Sequence, residues 1–315
     1  METVTTTTAP ANAWPNYTFD AALEASDRVN WRVEDLIGGN KRLDFSKSFL
    51  PESLARVEPL DFLSPASRLT LNQIRGHDYL YIFGLVEEFI LPFVLDHARP
   101  LLRGNDARVR AFLNFASEEA KHIDLFKRFR SDFLVSFGSD CEVIGPPEAI
   151  AQAILSKHPL AVALVILHIE WMTQRHYLDS VAENNTLDPQ FKSLLKHHWM
   201  EESQHAKLDT LMVRAISEAS SEKERAAAIE GYLEIGGMLD GGLMQQVQFD
   251  IESLKRATGQ TFTREESDRI LEVQRQATRW TFLGSGMSHK NFLATAELIQ
   301  PGARAKLEEV SVLFS

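Results

Sequence analysis

Glu201-Glu202-Ser203-Gln204-His205 and Glu118-Glu119-Ala120-Lys121-His122 are two versions of one pattern, Glu-Glu-x-x-His. Each sets a glutamate and a histidine three positions apart in helix-forming sequence. In an α-helix, residues i and i+3 share a face, so each version aims a carboxylate and an imidazole at one point. Two such helices, facing each other, would bring both pairs together. The fold then depends on what the rest of the chain adds there.

Each motif is preceded by an apolar segment that carries a glutamate. Upstream of the first lies Tyr79–Leu95, interrupted by Glu87, Glu88 and Pro92; upstream of the second, Glu170 sits in Val165-Ile166-Leu167-His168-Ile169-Glu170-Trp171-Met172. Glu88 and Glu119 are 31 positions apart, Glu170 and Glu202 are 32. Similar spans let antiparallel neighbours bring their carboxylates to one level. The pattern of a Glu helix followed by a Glu-x-x-His helix thus occurs twice, as expected of a site with pseudo-two-fold symmetry. An ionised carboxylate in an apolar core must be paired or bound to metal. Four converging carboxylates need cations, and two divalent ions supply them. One Glu from each of two helices and a Glu-x-x-His from each of two more make the dimetal arrangement of a ferritin-like four-helix bundle. The expected ligands are Glu88 (or Glu87), Glu119, His122, Glu170, Glu202 and His205. The local match of Glu88-Phe89 to Glu170-Trp171 favours Glu88. Carboxylate and imidazole donors suit iron, with manganese also compatible.

Helices are expected at about 67–97, 106–137, 147–184, 188–219, 222–257 and 263–283. Pro159 either starts a new segment within the third or kinks it. Asp188 before Pro189, Ser221, and the Thr263-x-x-Glu266 capping box are start signals. No strand alternation competes, so the chain reads as all-α. Residues 1–16 are expected to be a disordered tail and 17–66 an irregular lead-in. A single domain fills 67–315, with the core bundle at 67–219 and extra helices at 222–315.

A net charge of −11 argues against partners that need a basic face, nucleic acid and anionic membrane among them. The one cysteine, Cys141, rules out an intrachain disulfide and a cysteine-built zinc or iron–sulfur site, in keeping with a cytoplasmic location. Paired carboxylates in the longest apolar run speak against a membrane span.

His198 lies four residues before Glu202 and seven before His205, on the same helical face. The order Glu, Glu-x-x-His, Glu, His-x-x-x-Glu-x-x-His resembles the AurF-like diiron N-oxygenases, named for a p-aminobenzoate N-oxygenase. The resemblance covers roughly 67–210 and implies that His198 is a seventh protein ligand. It also implies two iron ions, O₂ as co-substrate, a small-molecule amine as substrate and an external electron donor or reductase. Oligomeric state is left open, a homodimer included. Where ribonucleotide reductase small subunits carry a radical tyrosine, four past the first histidine, this chain has Phe126. The alternatives are a diiron hydroxylase, desaturase or oxidase acting on carbon, and a metal-storage or metal-sensing bundle.

Around the ligands, Glu118, Glu201 and Asp209 are expected to orient the histidines through their second ring nitrogens. Asp124 is a weaker candidate for the same task. Tyr81, Gly84, Gln174 and Tyr177, at helical spacing from the ligands, are expected to line a substrate pocket. Arg279, His289 and Lys290 are candidates to hold a substrate carboxylate.

Overall fold

Capping residues and prolines start the long helices close to where the sequence signals them. The computed structural model describes residues 14–104 and 106–314. Residues 1–13, most of the expected tail, lie outside the described residues. Trp14 already belongs to the folded part: it packs partly buried against the core, with the Arg214 guanidinium 6.0 Å from its ring centre.

The lead-in contains two short helices, α1 (Phe19–Arg28) and α2 (Glu52–Ala55). The Thr18 hydroxyl accepts from Ala21 N at 3.2 Å to cap α1. The bundle begins with α3 (Pro65–Ala98), capped by Ser64 and carrying Pro92 inside it. It continues with α4 (Asp106–Phe137). The expected third helix is two: α5 (Pro147–Leu155) and α6 (Pro159–His176). Pro159 has no N–H to donate and a preset φ, so it opens a new helix. The His158 side chain caps it by accepting from Leu160 N. The fourth core helix, α7 (Pro189–Glu218), is capped by Asp188, which accepts from Phe191 N at 2.6 Å.

After the core come α8 (Glu222–Thr258) and α9 (Arg264–Arg279), both with complete capping boxes. Then follow α10 (Ser285–Met287), α11 (Lys290–Ile299) and α12 (Ala303–Ser311). Single π-helical turns extend α6 at Tyr177–Val181 and join α9 to α10 at Trp280–Gly284. No sheet forms among the described residues; there are two isolated bridges. No helix among them is long and apolar enough to cross a membrane.

The architecture is an all-α ferritin-like four-helix bundle with added helices. Lengthwise, α3 packs on α4 and α6 on α7, while α4 meets α7. The backbones of the remaining pair, α3 and α6, stand further apart, meeting through the Tyr79–His176 hydrogen bond; α8 lies across both and closes the gap, with α9 behind it. The fully buried Arg75 of α3 ties α8 in place, reaching Asp78 and Asp250 at 3.4 Å each, with the Gln246 amide bridging the two carboxylates. On the opposite side, α1 packs over α4 and α7.

Candidate metal centre

Both Glu-x-x-His pairs point into the bundle, with their glutamates and histidines fully buried. His122 Nδ1 lies 3.0 Å from Glu202 Oε1 and 3.9 Å from Glu87 Oε2. His205 Nδ1 lies 3.0 Å from Glu119 Oε1 and 3.1 Å from Glu202 Oε2. His198 Nε2 is 2.8 Å from Glu202 Oε1 and 3.2 Å from Glu87 Oε1. Two groups of donors emerge: Glu87, His122, His198 and Glu202, and Glu119, His122, Glu202 and His205. Within each group the ligand atoms all lie within 4.8 Å of one another.

Of the two glutamates expected as the first-helix ligand, Glu87 joins the donors and Glu88, the favoured one, does not. Glu87 is 2% exposed and faces the donors, whereas Glu88 turns outward to pair with Lys127 at 2.7 Å. One helical position rotates a side chain by about a quarter turn or more, so only one of two adjacent glutamates can enter the bundle. With Glu87, the spacing to Glu119 is 32, equal to that from Glu170 to Glu202. Glu170 is buried beside Glu202, outside the two donor groups, with Oε2 unpartnered.

The outward ring nitrogens are held crosswise. His122 Nε2 donates to Glu201 Oε2 at 2.8 Å, and His205 Nε2 donates to Glu118 Oε2 at 2.7 Å. Each motif's first glutamate therefore grips the other motif's histidine, leaving both Nδ1 atoms turned to the centre. Glu118 also accepts from Ser26 Oγ at 2.6 Å and Gln204 Nε2 at 2.8 Å, and Glu201 pairs with Lys121. Asp209 is fully buried with both oxygens unpartnered, next to Glu202 and His205. Asp124, by contrast, pairs with Arg128 at the surface and touches no histidine.

Flat rings cover the histidines. Trp31 stacks on His122 at 6.0 Å between centroids, and the Lys121 ammonium sits 4.0 Å from the Trp31 ring centre. Phe115 stacks on His205 at 4.1 Å. Ser26 and Trp31 come from the lead-in and had no signal in the sequence: they lie about 90 residues from their partners and belong to no repeat.

The donor set is short of positive charge. Burial works against protonating His122, but hydrogen bonds that its ring donates to Glu201, Glu202 and Glu87 overcome it and hold its pKa well above the usual histidine range. His205 is raised in the same way by Glu202 and Glu118, and His198 by Glu202 and Glu87. Burial, then repulsion from Glu202, pushes the Glu170 carboxyl well up, and burial does the same to Asp209. Glu119 Oε2 and Glu170 Oε2 are buried with no hydrogen-bond partner. Unpaired buried acceptors are costly, so the donors fit two divalent cations, which would satisfy these oxygens.

None of the expected pocket residues lines the apolar cavity beside the bundle. The Tyr81 hydroxyl donates to the Ile144 carbonyl under the Arg130 guanidinium. A Cβ at Gly84 would sit 3.5 Å from Phe126, an ordinary packing distance, so Gly84 lies against α4 and does not line the cavity. Tyr177 stacks on Trp199 at 4.4 Å. Gln174 is buried with its Nε2 unpartnered. The cavity, of about 100 Å³, lies between α3 and α6 under α8, with Ile82, Val86, Ile169, Met172, Leu239 and Phe282 among its walls. Val86 and Ile169 directly precede Glu87 and Glu170. Phe282 contacts Phe83, which stands edge-on to His198 at 5.3 Å. Arg279 is clamped by Asp240 at 2.7 Å through two nitrogens, His289 stacks on Trp171, and Lys290 is exposed. None of the three lines the cavity.

No family model matches the chain, and no curated protein matches it. Among solved structures it is similar to an R2-like ligand-binding oxidase point mutant with an anaerobically reconstituted Mn/Fe cofactor. The two share 15% identity over 88% of this chain and 94% of that one, with a TM-score of 0.47. Another mutant of an R2-like ligand-binding oxidase, with an aerobically reconstituted Fe/Fe cofactor, shares 14% identity over 83% of this chain and 93% of that one, at a TM-score of 0.44. At such distance the cofactors named belong to those proteins alone.

Proposed function

We propose that the protein is an O₂-dependent diiron oxygenase that N-oxygenates a small amine. The observation that supports this most is the third histidine: His198 stands 2.8 Å from Glu202 and 3.2 Å from Glu87, inside the donor set and not beside it. Glu87, Glu119, Glu170, Glu202, His122, His198 and His205 would hold the two ions. When bound, the ions supply the reduction of O₂ and the transfer of oxygen. One oxygen atom goes to the amine nitrogen and the other leaves as water, with two electrons and two protons drawn from an external donor or reductase. The chain's own residues do the rest. Glu118 and Glu201 keep the Nε2 protons and so present both Nδ1 lone pairs inward. Trp31 and Phe115 shield the histidine side. Manganese in one or both positions is compatible with the same donors.

The apolar walls of the cavity favour a second reading, oxidation at carbon. The two separate in one experiment. The iron-loaded, reduced protein is exposed to O₂ and its visible absorption followed, with and without an arylamine or a matched hydrocarbon. N-oxygenation predicts an absorbing species consumed by the amine only. Consumption by the hydrocarbon favours the second reading, and two irons that never react with O₂ overturn both. His198→Ala should alter the spectrum or the iron occupancy; an unchanged spectrum with full activity removes His198 from the ligand set.

A further inference from the structure

We infer that the cavity between α3 and α6 binds the uncharged aromatic ring of an arylamine, and that it rejects substrates carrying a carboxylate on that ring. The inference deepens the proposed function and rests on it for the placement of the amine.

Three observations converge. The first is position. The cavity lies on the side where the α3 and α6 backbones stand apart, and two of its walls, Val86 and Ile169, directly precede Glu87 and Glu170 in the chain. The histidine side is occupied by α1, Trp31 and Phe115, whereas the cavity lies on the side of Glu87 and Glu170, one position along the chain from its walls and with no donor among its lining residues. The second is size. About 100 Å³ is the scale of an apolar cavity that holds one aromatic ring, ~150 Å³ in an engineered case. The third is charge. Every lining residue is aliphatic, aromatic, methionine or glycine. The nearby cations are committed elsewhere: Arg279 to Asp240, and Arg175 to the Ser285 carbonyl and the Ser288 hydroxyl. A carboxylate or alkylammonium in such walls would lose its hydration with no counter-charge. An arylamine is unprotonated at neutral pH and enters without that penalty.

The test is binding, read apart from turnover. The full-length protein loaded with Mn(II) is titrated with 4-methylaniline and with 4-aminobenzoate, which differ in one substituent, by calorimetry or thermal shift. We expect 4-methylaniline to bind at least tenfold more tightly. Gly242→Leu, which adds a side chain to the cavity wall, should weaken that binding tenfold or more. Met238→Phe, at the exposed end of the wall, serves if Gly242→Leu does not fold. Equal or tighter binding of 4-aminobenzoate overturns the inference. So does a failure of 4-methylaniline to bind, or binding that neither variant weakens. If 4-methylaniline binds as expected yet is never oxidised at nitrogen by the iron form with O₂ and reductant, the N-oxygenase reading fails while the cavity's preference stands.

Discussion

At the scale of single residues, the centre turns on which atom faces which. Glu87 and Glu88 are neighbours, yet one is buried among histidines and the other pairs with Lys127. Glu87→Gln should therefore weaken metal binding at its position by ~100-fold or more, beyond the 10–100-fold typical of losing an outer partner. Glu88→Gln should leave it within about twofold, because it changes only a surface pair. Metal titration of both variants decides this, and equal losses would reverse the assignment. The four residues of the two Glu-x-x-His pairs were legible because a three-residue spacing on a helix leaves little freedom of direction. Glu118 and Glu201 could be singled out as neighbours of the ligand glutamates, but which histidine each one holds could not, since each reaches across to the other motif. The choice between adjacent glutamates was not legible, since it depends on the rotation of α3 about its own axis. Helical spacing put Tyr81, Gly84, Gln174 and Tyr177 on faces that carry ligands, but it says nothing of what packs against each face, and none of the four lines the cavity.

At the scale of elements, the sequence revealed where helices begin and end far better than how they lean on one another. Prolines and capping side chains act locally, so α3, α4, α7, α8 and α9 start within about two residues of their signals. The π-helical turn at Trp280–Gly284 had no such local mark; it is set by what lies against it. His168 Nε2 donates to the Phe282 carbonyl at 3.2 Å, and Gly286 passes so close that a Cβ there would sit 2.4 Å from the His168 ring and 2.8 Å from its carbonyl oxygen. Gly286→Ala should cost about 1–3 kcal/mol from overpacking, measured as a drop in the urea midpoint; an unchanged midpoint would mean that α10 moves freely. His176, at the end of α6, links Tyr79 of α3 at 3.1 Å to Ser285 of α10 at 3.0 Å. Burial, with the Arg175 charge adding to it, lowers its pKa to about 3. The folded form thus stays neutral while the unfolded chain takes up a proton below pH 6.5, so this histidine removes stability as pH falls from 6.5 toward 3 and removes none above. The stability gap between wild type and His176→Gln should accordingly narrow by ~2 kcal/mol between pH 6.5 and pH 5, at ~1.4 kcal/mol per pH unit. A gap independent of pH would show that His176 is protonated in the fold.

At the scale of the whole molecule, a bundle that buries this many carboxylates should be markedly stabilised by the ions that neutralise them. Each site held at 100 times its dissociation constant adds about 2.7 kcal/mol. Two such sites should raise Tm by about 8 °C in a chain of this size, and chelation should reverse the gain; a Tm unmoved by chelation of the metal-loaded protein would refute the centre. The four-helix plan was readable because its repeat is internal to the sequence. The covering by α1 and α8 was not, because neither helix carries a donor and each is placed by packing alone. The crosswise grip described above has a consequence for how such a chain can change over generations. Since Glu118 serves His205 and Glu201 serves His122, neither motif is a self-contained cassette. A substitution at 118 is felt 87 positions away, not four. Among relatives, changes at 118 should therefore track those at 205, and changes at 201 those at 122. The two halves of the repeat are free to drift apart in every other respect, but at these four positions each half is copy-edited by the other.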